Sequence, residues 1–532
     1  MLLIIGLDGA DWRILDPWLQ DGSLPTLAAL RARARWGGLR STMRPESSIA
    51  WTTFATGMNA GQHGIFGFVG QRPHSYDLTL NTAAAIRQPT FWQRAAAAGK
   101  KVALLNVPMT YPPQPFAPGA LVTGMLTPDT SSAMTHPPEL QEALLAAVPD
   151  YVINVSPTGL SLRQFIRATT RAIEARARAM LWLLRQEQWD ALVAVFTATD
   201  RLQHQTLHLL DARHPRHHAD EARALLPDLL DAYRAMDAGI AALLAEVGAD
   251  ATVVVLSDHG FSPVSRAFYP NVWLHRQGLL HFHGSPLPRL SLRQRLARQR
   301  WLRRLRGMWP VSGPARVAAS PAAWMKNIDW TRTKAVYSPA SGIRLNVQGR
   351  EPQGILTPPE AAALAQDLKT ELLAITDPQT GAHPVTAVFT REMLYAGPFL
   401  QNAPDLILDP QRDGAHPAYN NIVPRKFAPA LFADSGDKSG NHAHTGILLA
   451  AGPGIEPGPI ADAHLIDLAP TLLHLMGLAV PRELEGQVLD FARAQPIRLG
   501  TSDPALSLQN EQGFSPEEEA IVAERLRSLG YL

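Results

Sequence analysis

Short, continuous runs of apolar residues recur along this chain, and each stands beside a polar residue that can carry chemistry. The runs are Leu2–Leu7, Ala191–Phe196, Thr252–Leu256 and Gly446–Ala450. Runs of this length without polar alternation are typical of strands that are buried on both faces of a parallel sheet. Helical patterns lie between them, so the sequence predicts an α/β fold with a doubly wound, mostly parallel sheet.

The polar neighbours of these runs indicate where a site would form. Asp8 follows the first run, Asp200 follows the second, and Asp258 and His259 follow the third. His442 is the exception, because it precedes the run that it accompanies. Ligands of open α/β sheets bind beyond the carboxyl ends of the strands, so we expect these side chains to meet at that edge.

The alternation of strands and helices breaks in the middle of the chain, which predicts inserted regions. At 532 residues, of which 46% are hydrophobic and 18% charged, the chain can form a large core with insertions. The predicted organisation is a core over residues 1–260 with an insertion at about 71–160, an inserted cap over 261–437, the closing part of the core over 438–495 and a tail over 496–532. In the tail, Ser515-Pro-Glu-Glu518 is a capping box that predicts a terminal helix.

One segment of the predicted cap is rich in arginine. Arg289–Arg306 contains eight arginines among leucines at helical spacing. This pattern fits the solvated face of an amphipathic helix. The alternative interpretation is a surface for anionic lipid or for an acidic partner. We expect the segment to belong to the cap surface and not to a catalytic site.

Composition limits the partners and the metal chemistry. There is no cysteine, so any metal must be held by His, Asp or Glu. The net charge of +2 gives no reason to expect a nucleic-acid polymer. No apolar run approaches the roughly 18 residues of a membrane span, and the chain starts with a core strand instead of a leader. We therefore expect a cytoplasmic protein.

Aspartates and histidines near the strand ends have the spacing of metal ligands. Asp200 and His204 stand four residues apart, so they share one face of a helix and can coordinate the same cation. Alone, each such pattern fits a surface residue or a turn. Two sets of three ligands are predicted: Asp200, His204 and His442, and Asp8, Asp258 and His259, the second completed by Ser47. Mixed nitrogen and oxygen ligands without sulfur suit two divalent ions, Zn²⁺ first and Mn²⁺ second.

A serine-containing segment, Pro45–Gly57, has two interpretations. Its second half predicts a short helix that ends at Gly57, and its first half places Ser47 and Ser48 where an N-cap belongs. The serines can simply cap that helix. Alternatively, a hydroxyl in the positive field of the helix N-terminus can attack a phosphate bound there.

Taken together, these motifs resemble the alkaline phosphatase superfamily, in the branch of type I phosphodiesterases and nucleotide pyrophosphatases. The likeness is strongest to a bacterial group of predicted phosphohydrolases. The matching pieces are Gly6-Leu-Asp8-Gly9, the serine segment ending Thr56-Gly57, His63-Gly64-Ile65, Thr199-Asp-Arg-Leu-Gln-His204, Leu256-Ser-Asp-His-Gly260 and Gly440-Asn-His442 before Gly446-Ile447. The resemblance covers about residues 1–70, 190–265 and 435–490, and it implies metal-dependent hydrolysis of phosphoric esters.

The resemblance also assigns roles to single residues. The family nucleophile stands nine residues before the threonine of Thr56-Gly57, which selects Ser47 over Ser48. Nucleotide pyrophosphatases carry an asparagine three residues after the nucleophile, where this chain has Ala50, so nucleotides are not implied as the substrate. The family spacing selects His442 over His444 as a ligand. We expect His63 to fix the loop after the serine helix and His208 to lie outside the ligand sets.

The implied chemistry is attack of Ser47 on phosphorus, with one ligand set lowering the pKa of its hydroxyl and the other stabilising the leaving oxygen. The expected partner is a small-molecule phosphate ester, more a diester than a monoester. Candidates for substrate binding are Asn106, Arg344 and Arg350. Two other functions stay open: a phosphotransferase or mutase of the same superfamily, and a non-catalytic binding protein on the same scaffold.

Overall fold

A computed structural model gives the structure of residues 1–284, 324–340, 342–410, 422, 430–436, 438–501 and 513–528. The α-helices are, in chain order, α1 (Trp12–Gln20), α2 (Pro25–Ala32), α3 (Ser47–Thr56), α4 (Ala60–His63), α5 (Phe91–Ala97), α6 (Leu140–Ala147), α7 (Leu162–Leu184), α8 (Ala198–Leu210), α9 (Ala219–Val247), α10 (Pro270–Arg276), α11 (Pro358–Ala374), α12 (Arg391–Leu394), α13 (Leu468–Leu475) and α14 (Pro516–Ser528). Single turns of 3₁₀-helix occur at Ala83–Ala85, Met325–Asn327, Leu400–Asn402, Leu465–Asp467 and Asp490–Ala492.

The strands of the same residues belong to one large sheet and several small ones. In chain order they are β1 (Leu2–Leu7), β2 (Arg35–Arg40), β3 (Val69–Gln71), β4 (Leu78–Leu80), β5 (Val102–Leu105), β6 (Gly119–Val122), β7 (Thr135–His136), β8 (Ala191–Phe196), β9 (Thr252–Leu256), β10 (Gly260–Pro263), β11 (Arg266–Phe268), β12 (Ala335–Ser338), β13 (Gly342–Leu345), β14 (Val385–Thr390), β15 (Leu406–Pro410), β16 (Phe432–Asp434), β17 (Gly440–Ala443), β18 (Thr445–Ala451), β19 (Gly458–His464), β20 (Val480–Pro481) and β21 (Leu499–Gly500).

The large sheet has nine strands in the order β19-β2-β18-β9-β1-β8-β5-β6-β7. Strands β18 and β7 run antiparallel to their neighbours, and the other seven run in one direction. The antiparallel direction of β18 explains why His442 precedes its apolar run. The start of an antiparallel strand lies at the edge where its parallel neighbours end.

Both faces of this sheet are covered, as the unbroken apolar runs predict. Leu3, Ile5 and Leu7 of β1 pack in one core with α1, α2, α7 and α9, whereas Leu2 and Ile4 face the other core with α3, α5 and α13. This alternation follows from the two-residue period of a strand. The predicted α/β fold with a doubly wound, mostly parallel sheet is therefore confirmed.

The region predicted as an insertion at about 71–160 contributes to the core instead. Strands β5 and β6 are parallel members of the large sheet, and β7 forms its edge. Strands this short, separated by the proline-rich stretch Asn106–Pro113, leave little periodic signal in the sequence. Describing the whole of 71–160 as an addition to the core is thus wrong, while the other domain boundaries stay predictions.

The predicted cap contains a separate sheet and a separate apolar cluster. Its strands lie in the order β12-β13-β15-β14, and they pack with α11 in a cluster that includes Trp273, Ile343 and Leu368. The arginine-rich segment Arg289–Arg306 lies outside the described residues. Within the described part of the chain, no helix combines the length and the apolar character that crossing a membrane requires.

The terminal helix is present and is held against the core. Ser515 and Glu518 form the predicted capping box, with Ser515 N–H donating to Glu518 Oε2 at 2.8 Å and Glu518 N–H donating to Ser515 Oγ at 3.3 Å. Val522 and Leu526 are buried in a cluster with Tyr111. Helix α14 therefore covers part of the proline-rich stretch beyond β5.

Candidate functional site

The serine segment forms α3, but the serines do not cap it. The N-cap residue is Glu46, which makes no side-chain cap hydrogen bond, and Ser47 and Ser48 are the first two residues inside the helix. Ser48 Oγ donates to Glu46 Oε1 at 2.9 Å. Gly57 ends the helix with a φ of 67°, the left-handed conformation that favours glycine. The capping interpretation of the serines is therefore wrong, and Ser47 keeps its hydroxyl for other contacts.

One predicted set of ligands, Asp8, Asp258 and His259, converges beyond β1 and β9. His259 Nε2 lies 3.4 Å from Asp258 Oδ2 and 3.7 Å from Asp8 Oδ1, and all three side chains are buried. Gly9 has a φ of +70°, and a Cβ there would lie 2.8 Å from the ring of Phe261. Glycine therefore permits the sharp turn after β1, and its N–H donates to Asp258 Oδ1 at 3.2 Å.

The other predicted set, Asp200, His204 and His442, converges beside it. Asp200 and His204 lie on one face of α8, with Asp200 Oδ1 3.2 Å from His204 Nε2. His442 comes from β17, and its Nε2 lies 3.1 Å from both Asp200 Oδ1 and His204 Nε2. The structure thus brings the six predicted ligands into the two predicted groups.

Each histidine of these groups turns its Nδ1 towards a backbone carbonyl. The acceptors are Gly440 O for His204, Gly260 O for His259 and Pro45 O for His442, at 2.9, 3.0 and 2.6 Å. A carbonyl oxygen only accepts, so Nδ1 carries the proton in the neutral ring and Nε2 offers its lone pair. Backbone contacts of this kind orient histidine ligands at metal sites.

The two groups adjoin, and the serine turn touches both. The rings of His259 and His442 stack with their centroids 3.7 Å apart. Ser47 Oγ lies 3.3 Å from His259 Nε2, and the carbonyl of Pro45 accepts from His442. A substrate atom that reaches Ser47 is therefore close to both groups of ligands.

Burial controls the charge of these side chains. Burial raises the pKa of Asp8 and of Asp258, and the neighbouring carboxylates add to the rise. Burial acts the same way on Asp200, but His204 and His442 hold the pKa of that carboxyl well below its usual value. Burial lowers the pKa of His204 to about 4, and that of His442 also falls well below its usual value. Both imidazoles are neutral at pH 7, the form that binds metal.

The donor set fits divalent cations. Asp8 Oδ1 and Asp258 Oδ2 are buried and have no hydrogen-bond partner among the described residues. The unprotonated Nε2 atoms of His204 and His442 face each other at 3.1 Å. Lone pairs and carboxylates this close are unfavourable in a buried site unless a positive charge lies among them. Within the described residues, each group therefore has the chemistry of a metal site.

The three candidates for substrate binding are held by other protein groups. Asn106 is buried and donates to Val195 O at 2.8 Å. Arg350 pairs with Asp405, and both Arg350 and Arg344 contact Glu351. The structure therefore gives the two arginines a packing role inside the cap, and their contact with substrate stays a prediction.

The other histidines lie outside both groups. His63 Nε2 lies 3.1 Å from Thr53 Oγ1, and the His63 Nδ1 accepts from Ile65 N–H at 3.2 Å, so His63 ties the following loop to α3. His208 lies one turn beyond His204 on α8. His444 pairs with Asp409 of the cap at 3.0 Å. These placements agree with the choice of His442 over His444.

Two residues at the site were not among the sequence candidates. Trp51 Nε1 donates to Asp8 Oδ2 at 3.2 Å, which orients this carboxylate. Arg201 lies 3.2 Å from Asp200 Oδ2. A tryptophan in an apolar helix predicts only core packing, and an arginine next to a ligand carries no distinguishing pattern, so tertiary contacts were needed to find both.

The sequence profile of the family described as type I phosphodiesterase / nucleotide pyrophosphatase matches residues 2–443. The chain belongs to this family. It is thus a hydrolase of phosphoric esters, and the resemblance seen in its motifs is confirmed. No curated protein sequence matches the chain with significance.

Solved structures resemble this chain at low sequence identity. Murine ectonucleotide pyrophosphatase / phosphodiesterase 5 is 12% identical with a TM-score of 0.50, over 93% of this chain and 98% of that one. A phosphonoacetate hydrolase from Sinorhizobium meliloti, in complex with phosphonoacetate, is 15% identical with a TM-score of 0.49, over 88% of this chain and 94% of that one. At such identities, the likeness concerns the fold alone.

Proposed function

We propose that the protein hydrolyses small-molecule phosphoric esters, diesters more than monoesters, through a phosphoseryl intermediate on Ser47 at a two-metal site. The observation that carries the proposal is the position of Ser47. Its hydroxyl lies inside a helix N-terminus, 3.3 Å from one ligand group, and its own turn contacts the other group. The family match supports phosphoric ester chemistry.

The two ligand groups would each hold one divalent cation. Asp8, Asp258 and His259 would bind one, and Asp200, His204 and His442 the other, with Zn²⁺ as first choice and Mn²⁺ as second. When bound, such cations supply positive charge that lowers the pKa of a nearby hydroxyl and neutralises phosphoryl oxygens.

The protein residues supply the nucleophile and its orientation. Helix α3 is buried along its whole length, so the Ser47 side chain is held in place before substrate arrives. The deprotonated Oγ forms a bond to phosphorus while the bond from phosphorus to the alcohol oxygen breaks. Water then hydrolyses the phosphoserine and restores the hydroxyl. Trp51 and Gly9 hold Asp8 and Asp258 in orientation through single hydrogen bonds.

The alternatives receive less support from the site. A phosphotransferase or mutase needs basic residues to hold a second substrate, and Arg344 and Arg350 are paired with carboxylates. A non-catalytic protein has no need to keep two complete ligand groups and an adjoining serine.

Trapping the intermediate tests the proposal. The zinc- or manganese-loaded protein is mixed with labelled bis(p-nitrophenyl) phosphate or p-nitrophenyl phosphate and quenched in acid, and fragmentation mass spectrometry locates the phosphate. We expect phosphate on Ser47 from the monoester, a nitrophenyl phosphate ester on Ser47 from the diester, faster turnover of the diester, and no label after chelation. Label on Ser48 would contradict the role of Ser47, and equal turnover without metal would contradict the two-metal site.

A further inference from the structure

Arg201 is a buried cation next to one ligand group. Its side chain is 3% exposed, and Nη1 lies 3.2 Å from Asp200 Oδ2. Burial raises the pKa of Asp8, and the charge of Arg201 opposes that rise. Burial also raises the pKa of Asp200, whereas the charges of His204 and Arg201 lower it.

Two donor nitrogens of Arg201, Nε and Nη1, are buried and make no hydrogen bond among the described residues. Nη1 lies close to Asp200 Oδ2 as an ion pair, but the contact lacks hydrogen-bond geometry. Two other arginines, Arg176 and Arg525, differ in this respect. Arg176 Nη2 donates to Val152 O and Ile153 O at 2.9 Å, and Arg525 donates to carbonyls of the loop beyond β6. Buried donors are nearly always paired, so those of Arg201 point to an acceptor that the chain does not supply.

We propose that Arg201 binds a non-bridging phosphoryl oxygen of the substrate through these donors. This inference rests on the proposed function. A guanidinium presents its donors in a planar fork that matches phosphate geometry, and it stays charged when buried. Beside Asp200, such a fork would hold the phosphoryl group and would stabilise charge as it spreads over the oxygens.

A purely structural role for Arg201 makes a different prediction. If Arg201 only stabilises Asp200, its removal lowers stability and metal content but leaves the phosphate affinity of metal-loaded protein unchanged. Phosphate affinity measured at matched metal content therefore separates the two roles. Arg176 is the matched control, because it is also a buried arginine but its donors are occupied by backbone carbonyls.

The experiment measures binding of inorganic phosphate to zinc-loaded protein by calorimetry, with zinc content from elemental analysis and KM and kcat for a nitrophenyl ester. For Arg201→Met we expect the Kd for phosphate to rise roughly 10- to 100-fold, the effect of losing hydrogen bonds to a charged partner, and KM to rise with it. Arg176→Met should lower the melting temperature and leave the Kd unchanged. Equal phosphate affinity of Arg201→Met and wild type at equal zinc content would overturn the proposal.

Two other results of this experiment also have a defined interpretation: a variant that does not fold, and a wild type without activity. If Arg201→Met does not fold, Arg201→Lys carries the test, because lysine keeps the charge but cannot make paired hydrogen bonds. It should bind phosphate several-fold more weakly than wild type, and equal binding would overturn the proposal. If the wild type neither binds phosphate nor hydrolyses an ester, the proposed function itself fails, which differs from a failure confined to Arg201.

Discussion

Replacing Ser47 and Ser48 one at a time gives the sharpest test of the site, because structure and chemistry rank the two variants in opposite order. The serines are adjacent in α3, and both are fully buried, at 1% and 0% exposure. Each alanine replacement removes one hydroxyl from the same helix turn. The pair therefore differs only in what each hydroxyl contacts.

Ser48→Ala should lower the free energy of unfolding more than Ser47→Ala does. Ser48 Oγ donates to the carboxylate of Glu46 at 2.9 Å, and a hydrogen bond to a charged group contributes roughly 1.5–3 kcal/mol. Among the described residues, the hydrogen-bond contact of Ser47 Oγ is the one with His259 at 3.3 Å, so its loss should cost about 0.5–1 kcal/mol. Denaturant unfolding of the two variants should show this order.

Turnover should show the reverse order. Ser47→Ala removes the nucleophile and should reduce kcat by roughly 10⁴-fold or more, about 5.5 kcal/mol in barrier. Ser48→Ala should stay within roughly tenfold of wild type, about 1.4 kcal/mol. The assay is steady-state hydrolysis of bis(p-nitrophenyl) phosphate at matched zinc content. Near-full activity of Ser47→Ala, or an equal loss in both variants, would refute the assignment.

Three other predictions follow from the same geometry. Asp258→Asn should bind one zinc ion fewer than wild type by elemental analysis, because it removes a charged ligand, and unchanged zinc content would exclude Asp258 from the metal site. The pKa of Asp8 and Asp258 is raised from 3.8 in the folded state, so their stabilising contribution to metal-free protein is complete below about pH 4 and is lost as the pH rises through the folded values. The gain in melting temperature on adding zinc should thus be larger at about pH 8 than at about pH 5.5, and a pH-independent gain would contradict this reasoning. Arg350→Ala should lower the free energy of unfolding by about 3 kcal/mol because Asp405 stays buried, with KM for a small ester unchanged; a raised KM would return Arg350 to the substrate site.

The sequence determined the parts of this protein that depend on local patterns. The apolar runs Leu2–Leu7, Ala191–Phe196 and Thr252–Leu256 are strands with the same bounds in the structure. Such segments are set by periodicity and by caps, which neighbouring residues specify. The motif spacing also predicted which six side chains converge as candidate metal ligands.

Tertiary structure decided what depends on distant partners. His442 precedes β18 and still reaches the site because β18 runs antiparallel to β9. Ser48 is turned towards Glu46 and Ser47 towards His259, and these contacts depend on how the fold places His259 beside the helix. Likewise Arg350, a candidate for substrate binding, makes two hydrogen bonds to Asp405, whereas Arg201 lies beside Asp200 with no hydrogen bond from its buried Nε and Nη1 among the described residues. Whether a charged side chain is free to bind substrate depends on which groups the fold places around it, and those groups lie far away in the chain.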